Sequence, residues 1–302
     1  MYQALTPRNA ILLTLPPLLW AGNAVVGRIA SDFVPPITLN ALRWALTFVL
    51  LLPLAAWVLR PGSGLWPRWR HYGLLGLLSV GLYNALQYLA LRTSTPVNVT
   101  LVGSSMPVFM LAIGALFFAH RPTPRQIGGA GLSMVGVLIV LAHGELARLA
   151  AIRLVPGDVY MLLATAAWAW YSWLLTRVAA DDPRIRGDWA AFLLAQVAPG
   201  MMWAAVFAAG EWRWLSPEPI RWGWPLLAVL AYVAIGASVI AYRSWGLGVQ
   251  RLGPNMAAVF GNLTPLFAAL LSAAFLGEPP QLHHGAAFAL IVAGIWVSSR
   301  KA

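Results

Sequence analysis

Cysteine is absent from this sequence. That removes disulfides, thiolate metal sites and a cysteine nucleophile in one step. Charge is scarce too: 10% of residues are Asp, Glu, Lys or Arg, against ~25% in a soluble domain. Acids are the rarer sign, nine against 20 Lys and Arg, and none lies deep in an apolar run. Asp158 and Asp188 open such runs and Glu278 closes one. There is no HExxH motif and no pair of acids within a run, so a membrane-embedded enzyme has no catalytic constellation to work with, and none is expected. The stretch DDPRIRGD at 181–188 mixes its acids with two arginines and reads as a solvated turn rather than a metal site. All five histidines fall at run ends or in connections, so no buried proton relay is visible. Facilitated transfer is the simpler expectation, with Glu278 the one candidate for coupling. Neither a metal nor a cofactor is expected.

What the chain has in abundance is apolar residues: 60% are hydrophobic and the mean hydropathy is +0.73. Ten runs of about 20 residues or more stand at roughly 9–30, 35–59, 70–92, 95–118, 124–143, 156–178, 188–210, 222–249, 253–276 and 280–299. About 20 apolar residues span a bilayer as a helix. None of the runs alternates like a barrel strand. The expected fold is an all-α integral membrane protein with short loops and no soluble domain. The first run lacks a cleavage site and reads as a retained helix. If the N-terminus is cytoplasmic, twelve Lys and Arg fall on that side and six on the other, with Arg43 and Arg243 inside runs. The positive-inside rule then puts both termini in the cytoplasm. It also accounts for the net charge of +11 without a nucleic-acid partner. Several of the 16 Trp, such as Trp66, Trp69, Trp212 and Trp224, sit at run ends and form an interfacial belt. Trp20, Trp168 and Trp245 lie within runs.

A repeat organises the runs. GNLTPLFAALLSAAFLGEPP at 261–280 follows GSSMPVFMLAIGALFFAHRP at 103–122 by 158 positions without a gap. The two share Gly103/Gly261, Pro107/Pro265, Phe109/Phe267, Ala115/Ala273, Phe117/Phe275 and Pro122/Pro280, and the same offset aligns Pro96 with Pro254 and Gly136 with Gly294. Trp20 and Trp168 match more loosely in the first run of each half. The halves are 1–150 and 151–302. Five spans each is an odd number, so the second copy would lie inverted relative to the first. Inverted repeats with a site at their interface are the architecture of secondary transporters. A proline inside a helix costs one backbone hydrogen bond, and Gly103 and Gly261 lie one turn before theirs. Gly103, Pro107, Gly261 and Pro265 are therefore the candidate hinges.

Helical spacing puts polar or aromatic residues on one stripe of eight runs. The first four give Trp20 with Asn23, Asn40 with Arg43, Tyr83 with Asn84 and Gln87, and Ser104 ahead of Pro107. The second half gives Trp168 with Tyr171, Gln196 with Trp203, Ser238 with Tyr242 and Trp245, and Asn262 ahead of Pro265. Lipid does not favour such stripes, so they should face inward and line a substrate cavity. Arg43 lies about 12 Å along its helix from the run's start, at 1.5 Å per residue. A guanidinium there can pair bidentately with a substrate carboxylate. Arg243 sits near a run end, where snorkelling suffices.

The segments ALRTSTPVNVTLVGSSMPVF and RLGPNMAAVFGNLTPLFAALLSAAFLGEPP resemble the two repeats of EamA-type carriers of the drug/metabolite transporter superfamily, within it the bacterial aromatic amino acid exporter branch. The resemblance covers nearly the whole chain. It departs where Ala119-His120 stands opposite Gly277-Glu278, so any role of the glutamate is not duplicated. The resemblance implies ten transmembrane helices as two inverted five-helix repeats around a central cavity, with helices 5 and 10 outside it. It further implies a bacterial inner-membrane location and export of aromatic or bulky apolar amino acids, with drugs or other metabolites as the wider range. A proton-coupled antiporter and a channel are the alternatives. The partners expected are the small solute and the bilayer, and a monomer suffices.

Overall fold

The computed structural model describes residues 3–30, 32–94, 99, 102–142, 145, 155–177, 181–215, 218–276 and 282–300. Every regular element among them is helical. In chain order they are α1 (Pro7–Ala30), α2 (Pro36–Ala55), α3 (Trp69–Gly76), α4 (Asn84–Thr93), α5 (Met106–Phe117), α6 (Pro124–Leu141), α7 (Pro156–Leu174), α8 (Pro183–Gly187), α9 (Trp189–Trp214), α10 (Trp224–Ala234), α11 (Ala241–Leu252), α12 (Pro254–Gly261), α13 (Leu263–Leu276) and α14 (Leu282–Ser299). Among the described residues, six helical stretches are long and apolar enough to cross a membrane: Pro36–Leu59, Trp66–Ala90, Trp189–Trp214, Trp224–Leu252, Pro254–Leu271 and Leu282–Ser299.

Proline starts many of these helices, because its missing N–H is unpaired in a first turn anyway. Asp182 and Asp188 cap α8 and α9 by accepting from backbone N–H groups. Gly253 turns the chain from α11 into α12 at φ +88°, a left-handed conformation that glycine adopts without strain.

Element boundaries recur at the 158-residue spacing. Outer helix α6 runs from Pro124 to Leu141 and α14 from Leu282 to Ser299. Between α3 and α4 the chain widens into a π-helical turn at Leu77–Tyr83, and between α10 and α11 it does so at Ile235–Ile240. Two more helices are broken at matching places. The chain turns at Ser104–Ser105 before α5, and at Asn262 between α12 and α13. Pro107 and Pro265 therefore occupy the first turn of a restarted helix, where proline is tolerated. The expectation of a proline inside a continuous helix is corrected here: Gly103–Pro107 and Gly261–Pro265 bracket breaks.

The outer pair α6 and α14 pack backbone to backbone. A Cβ on Gly129 would stand 2.0 Å from Ser298 Oγ and 2.5 Å from the Gly294 carbonyl; one on Gly136 would stand 2.9 Å from the Ala287 carbonyl. Lipid provides no hydrophobic drive for helix association, so close approach of small residues supplies it. Helix α1 packs on α11 and α13, while α7 packs on α4 and α5, so each of these helices contacts the opposite half. The buried core runs between them, and large apolar side chains such as Leu116, Leu163, Met202 and Leu282 face outward. Exposed apolar side chains of that size fit lipid contact.

The two ends of the bundle differ. At the end holding both chain termini, the Gln3 N–H donates to the Arg251 carbonyl and Arg251 donates to Asn9 Oδ1. Nearby, Asp181 pairs with Arg68 at 2.8 Å. Burial raises the Asp181 carboxyl above its ordinary range against the pull of that arginine. At the far end, the buried carboxylate of Glu211 accepts from Ile37 N–H at 3.1 Å and Thr38 N–H at 2.7 Å, and from the Thr38 hydroxyl. It thereby caps the start of α2 from α9.

Candidate functional site

Seven rings meet in the middle of the bundle: Trp20 from α1, Trp44 from α2, Tyr83 from the first π turn, Trp168 and Tyr171 from α7, and Tyr242 and Trp245 from α11. Trp20 meets Trp168 edge to face at 5.2 Å between centroids and lies 5.3 Å from Trp245. Trp168 is 4.8 Å from Tyr83, 5.0 Å from Tyr171 and 5.3 Å from Tyr242. Such edge-on and tilted pairs are favourable arrangements of the ring quadrupoles. The residues expected to line an open cavity thus fill the space with their own rings. Trp168 and Trp245 are almost wholly buried.

The polar residues of the stripes hold the backbone of the two π turns. Asn40 Nδ2 donates to the Val80 carbonyl at 3.1 Å and the Tyr242 hydroxyl to the Ser79 carbonyl at 3.1 Å. Across the bundle, Arg43 Nη2 donates to the Ala237 carbonyl at 2.9 Å and its Nε to Ser238 Oγ. Trp20 Nε1 donates to the same Ala237 carbonyl. Ser79 and Ala237 stand 158 positions apart, as do Val80 and Ser238. A π turn widens the helix and leaves carbonyls out of register. Here side chains from other helices take up those carbonyls.

Several polar atoms around the rings remain without a protein partner: Arg43 Nη1, Asn40 Oδ1, Asn23 Oδ1, Trp44 Nε1, Trp168 Nε1 and Gln196 Oε1. Each such buried group costs about 1–3 kcal/mol, and native proteins fill them with water or ligand. Arg43 is 1% exposed, so its free Nη1 is a committed cationic donor inside an aromatic core. A small cavity of about 80 Å³ reaches the cluster from the end of the chain termini, bounded by Arg186, Arg243 and Gln196 with Tyr171 and Tyr242 at its base. Arg243 stacks on Trp189 at this mouth.

The structure sorts the remaining expected residues. Asn84 and Ser238 are buried among these elements, and Asn23 and Gln87 are half-buried on α1 and α4. Gln196 donates to the Phe192 carbonyl and borders the small cavity. Ser104 occupies its helix break. Asn262 occupies the other, where Nδ2 donates to Ser133 Oγ on outer helix α6 at 2.9 Å, so that its amide nitrogen is spent on α6. Glu278 is outside the described residues. Trp44 was missed because residues i and i+1 of a helix point to different faces, so the stripe through Asn40 and Arg43 passed it by. Its neighbour's buried charge was the available signal, since Arg43 lies over the Trp44 ring at 5.1 Å.

Comparison with known proteins bears on this arrangement. The signature of the EamA-like transporter family matches residues 8–142 and again residues 155–300. The chain belongs to the EamA-like transporter family. This EamA-family chain is 26% identical over 294 residues to an uncharacterized transporter of Archaeoglobus fulgidus, covering 97% of this chain and 98% of the relative. It is 28% identical to the aromatic amino acid exporter YddG of Ancylobacter novellus over 93% of both chains. It is 24% identical to a probable amino-acid metabolite efflux pump of Salmonella typhimurium over 96% of this chain and 94% of that one. A solved crystal structure superposes with a TM-score of 0.74 at 24% identity, covering 96% of each chain, a likeness of fold.

Proposed function

We propose that this EamA-family membrane protein is a secondary exporter of small amphiphilic organic solutes, aromatic or bulky apolar amino acids first among them. In this reading, ten transmembrane helices form two inverted halves, 1–150 and 151–302, that give alternating access to a site between them. The protein spans a bacterial inner membrane with both termini cytoplasmic.

The single observation that carries the substrate class is the unpaired Nη1 of buried Arg43 beside a cluster of seven rings. A carboxylate pairs with the guanidinium while an aromatic or branched side chain separates the rings it resembles. The named relatives from A. novellus and Salmonella support the same class. The recurrence of element boundaries at 158 residues supports the repeat. So does the exchange of contacts on the outer helices, where Gly129 against Gly294 corresponds to Ala287 against Gly136.

Bidentate pairing would draw Nη2 away from the Ala237 carbonyl, so the substrate competes with a π turn for Arg43. The turn is then free to rewind while the broken helices beside it pivot at Ser104 and Asn262. Among the described residues, the buried acids Asp158 and Glu211 serve helix N-termini and the third, Asp181, pairs with Arg68, which favours facilitated transfer. The test is counterflow: proteoliposomes preloaded with unlabelled tryptophan receive labelled tryptophan outside, with no pH or voltage gradient. Transient labelled uptake, competed by phenylalanine, supports the assignment. Its absence in folded protein rejects facilitated amino acid exchange.

A further inference from the structure

Apart from the ring cluster, a larger cavity of about 360 Å³ lies at the end of the chain termini, within the ~300–1,000 Å³ of ligand pockets. It sits between the two broken helices, the outer helices α6 and α14, and the segment Gln3–Leu5. Leu5, Pro107, Leu111, Leu252, Met256 and Val259 form an apolar part of its lining, and Gln3, Thr123, Gln126 and two serines of α14 a polar part. Asn255 lines it, is 6% exposed, and has neither Oδ1 nor Nδ2 hydrogen-bonded to protein. Arg300 also lines it, with its guanidinium 3.6 Å from the centroid of Trp296. Trp296 is exposed on α14, and tryptophan marks the headgroup level of a bilayer. No acid is among the described lining residues.

These observations select a ligand. The apolar part of a cavity at headgroup depth takes an acyl chain, and its polar part a headgroup. An arginine with no acid beside it among the described lining residues takes an anionic phosphate, as basic pockets between transmembrane helices do on the cytoplasmic side. A buried carboxamide needs both a donor and an acceptor. A hydroxyl supplies both, whereas a quaternary ammonium or a bare phosphate supplies at most one. We propose that this cavity is a binding site for an anionic phospholipid whose headgroup carries hydroxyls, of the phosphatidylglycerol kind. Its phosphate rests on Arg300, its head hydroxyl on Asn255, and one acyl chain lies along α5 and α12.

The experiment is native mass spectrometry of the purified full-length protein titrated with dioleoyl phosphatidylglycerol, phosphatidic acid or phosphatidylcholine. One phosphatidylglycerol should bind at least tenfold more tightly than phosphatidylcholine, with phosphatidic acid in between. Asn255→Leu should erase the preference over phosphatidic acid. Arg300→Gln, at the exposed end of α14, should erase the preference over phosphatidylcholine and serves if the first variant does not fold. Equal binding of the three lipids, or an unchanged preference in Arg300→Gln, overturns the site.

Discussion

Arg43 on α2 reaches the backbone carbonyl of Ala237 at 2.9 Å, a residue 194 positions away in the π turn of the other half. A buried guanidinium usually neutralises an acid. This one holds a carbonyl of a π turn and keeps one nitrogen in reserve.

Replacing Arg43 with alanine should lower tryptophan counterflow roughly 10–100-fold, since a hydrogen bond to a charged group is worth about 1.5–3 kcal/mol. Transport of tryptophan amide should fall much less. Equal loss for acid and amide would remove the carboxylate from Arg43.

Asn40 and Tyr242 secure neighbouring carbonyls of the first π turn. Asn40→Leu and Tyr242→Phe should each slow exchange, and the double variant should show coupling of about 0.5–3 kcal/mol, as contacts to one element do. Strict additivity in a double-mutant cycle would mean that the turn does not act as a unit.

The outer helices offer an internal control. A Cβ at Gly128 meets nothing within 4 Å, whereas one at Gly129 collides with Ser298 and Gly294. Gly129→Ala should cost about 1–3 kcal/mol by overpacking and lower the melting temperature in detergent. Gly128→Ala should not. Similar melting of both variants would contradict the packing of α6 on α14.

Glu211→Ala strips α2 of three hydrogen bonds at the far end and should cost about 1–3 kcal/mol. Glu211→Gln should lose less, because its amide oxygen still accepts. Thermal unfolding in detergent ranks the three proteins; a wild-type value for the alanine variant refutes the cap.

Asp181 supplies a pH test. Its carboxyl is raised from 3.8 by burial, so the folded protein keeps that proton to a higher pH than the unfolded chain. Its contribution favours the fold below 3.8 and is lost as pH climbs through the raised value. Asp181→Asn should flatten that part of the stability profile, read as melting temperature between pH 4 and 7. An unchanged slope would assign it to other groups.

The residues that meet at the centre were legible in part from the chain. Trp20, Arg43, Trp168, Tyr171, Ser238, Tyr242 and Trp245 each broke an apolar pattern, and lipid penalises such breaks. Asn262 broke the same pattern for a different purpose, a bond to Ser133 on an outer helix. Polarity alone does not say which neighbour receives it. Glu211 was invisible because an acid at a run's end resembles any interfacial charge until the start of α2 lies against it.

Composition, run length and the 158-residue recurrence by themselves determined a helical membrane protein written twice, because bilayer thickness and backbone hydrogen bonding leave few alternatives. Tertiary structure alone decided that the prolines begin helices after a break, and that two π turns stand at equivalent places. It also decided that Arg43 spends its donors on one of those turns. Those outcomes depend on which carbonyls lose their helical partner and on which side chain from another helix lies within hydrogen-bond reach of them.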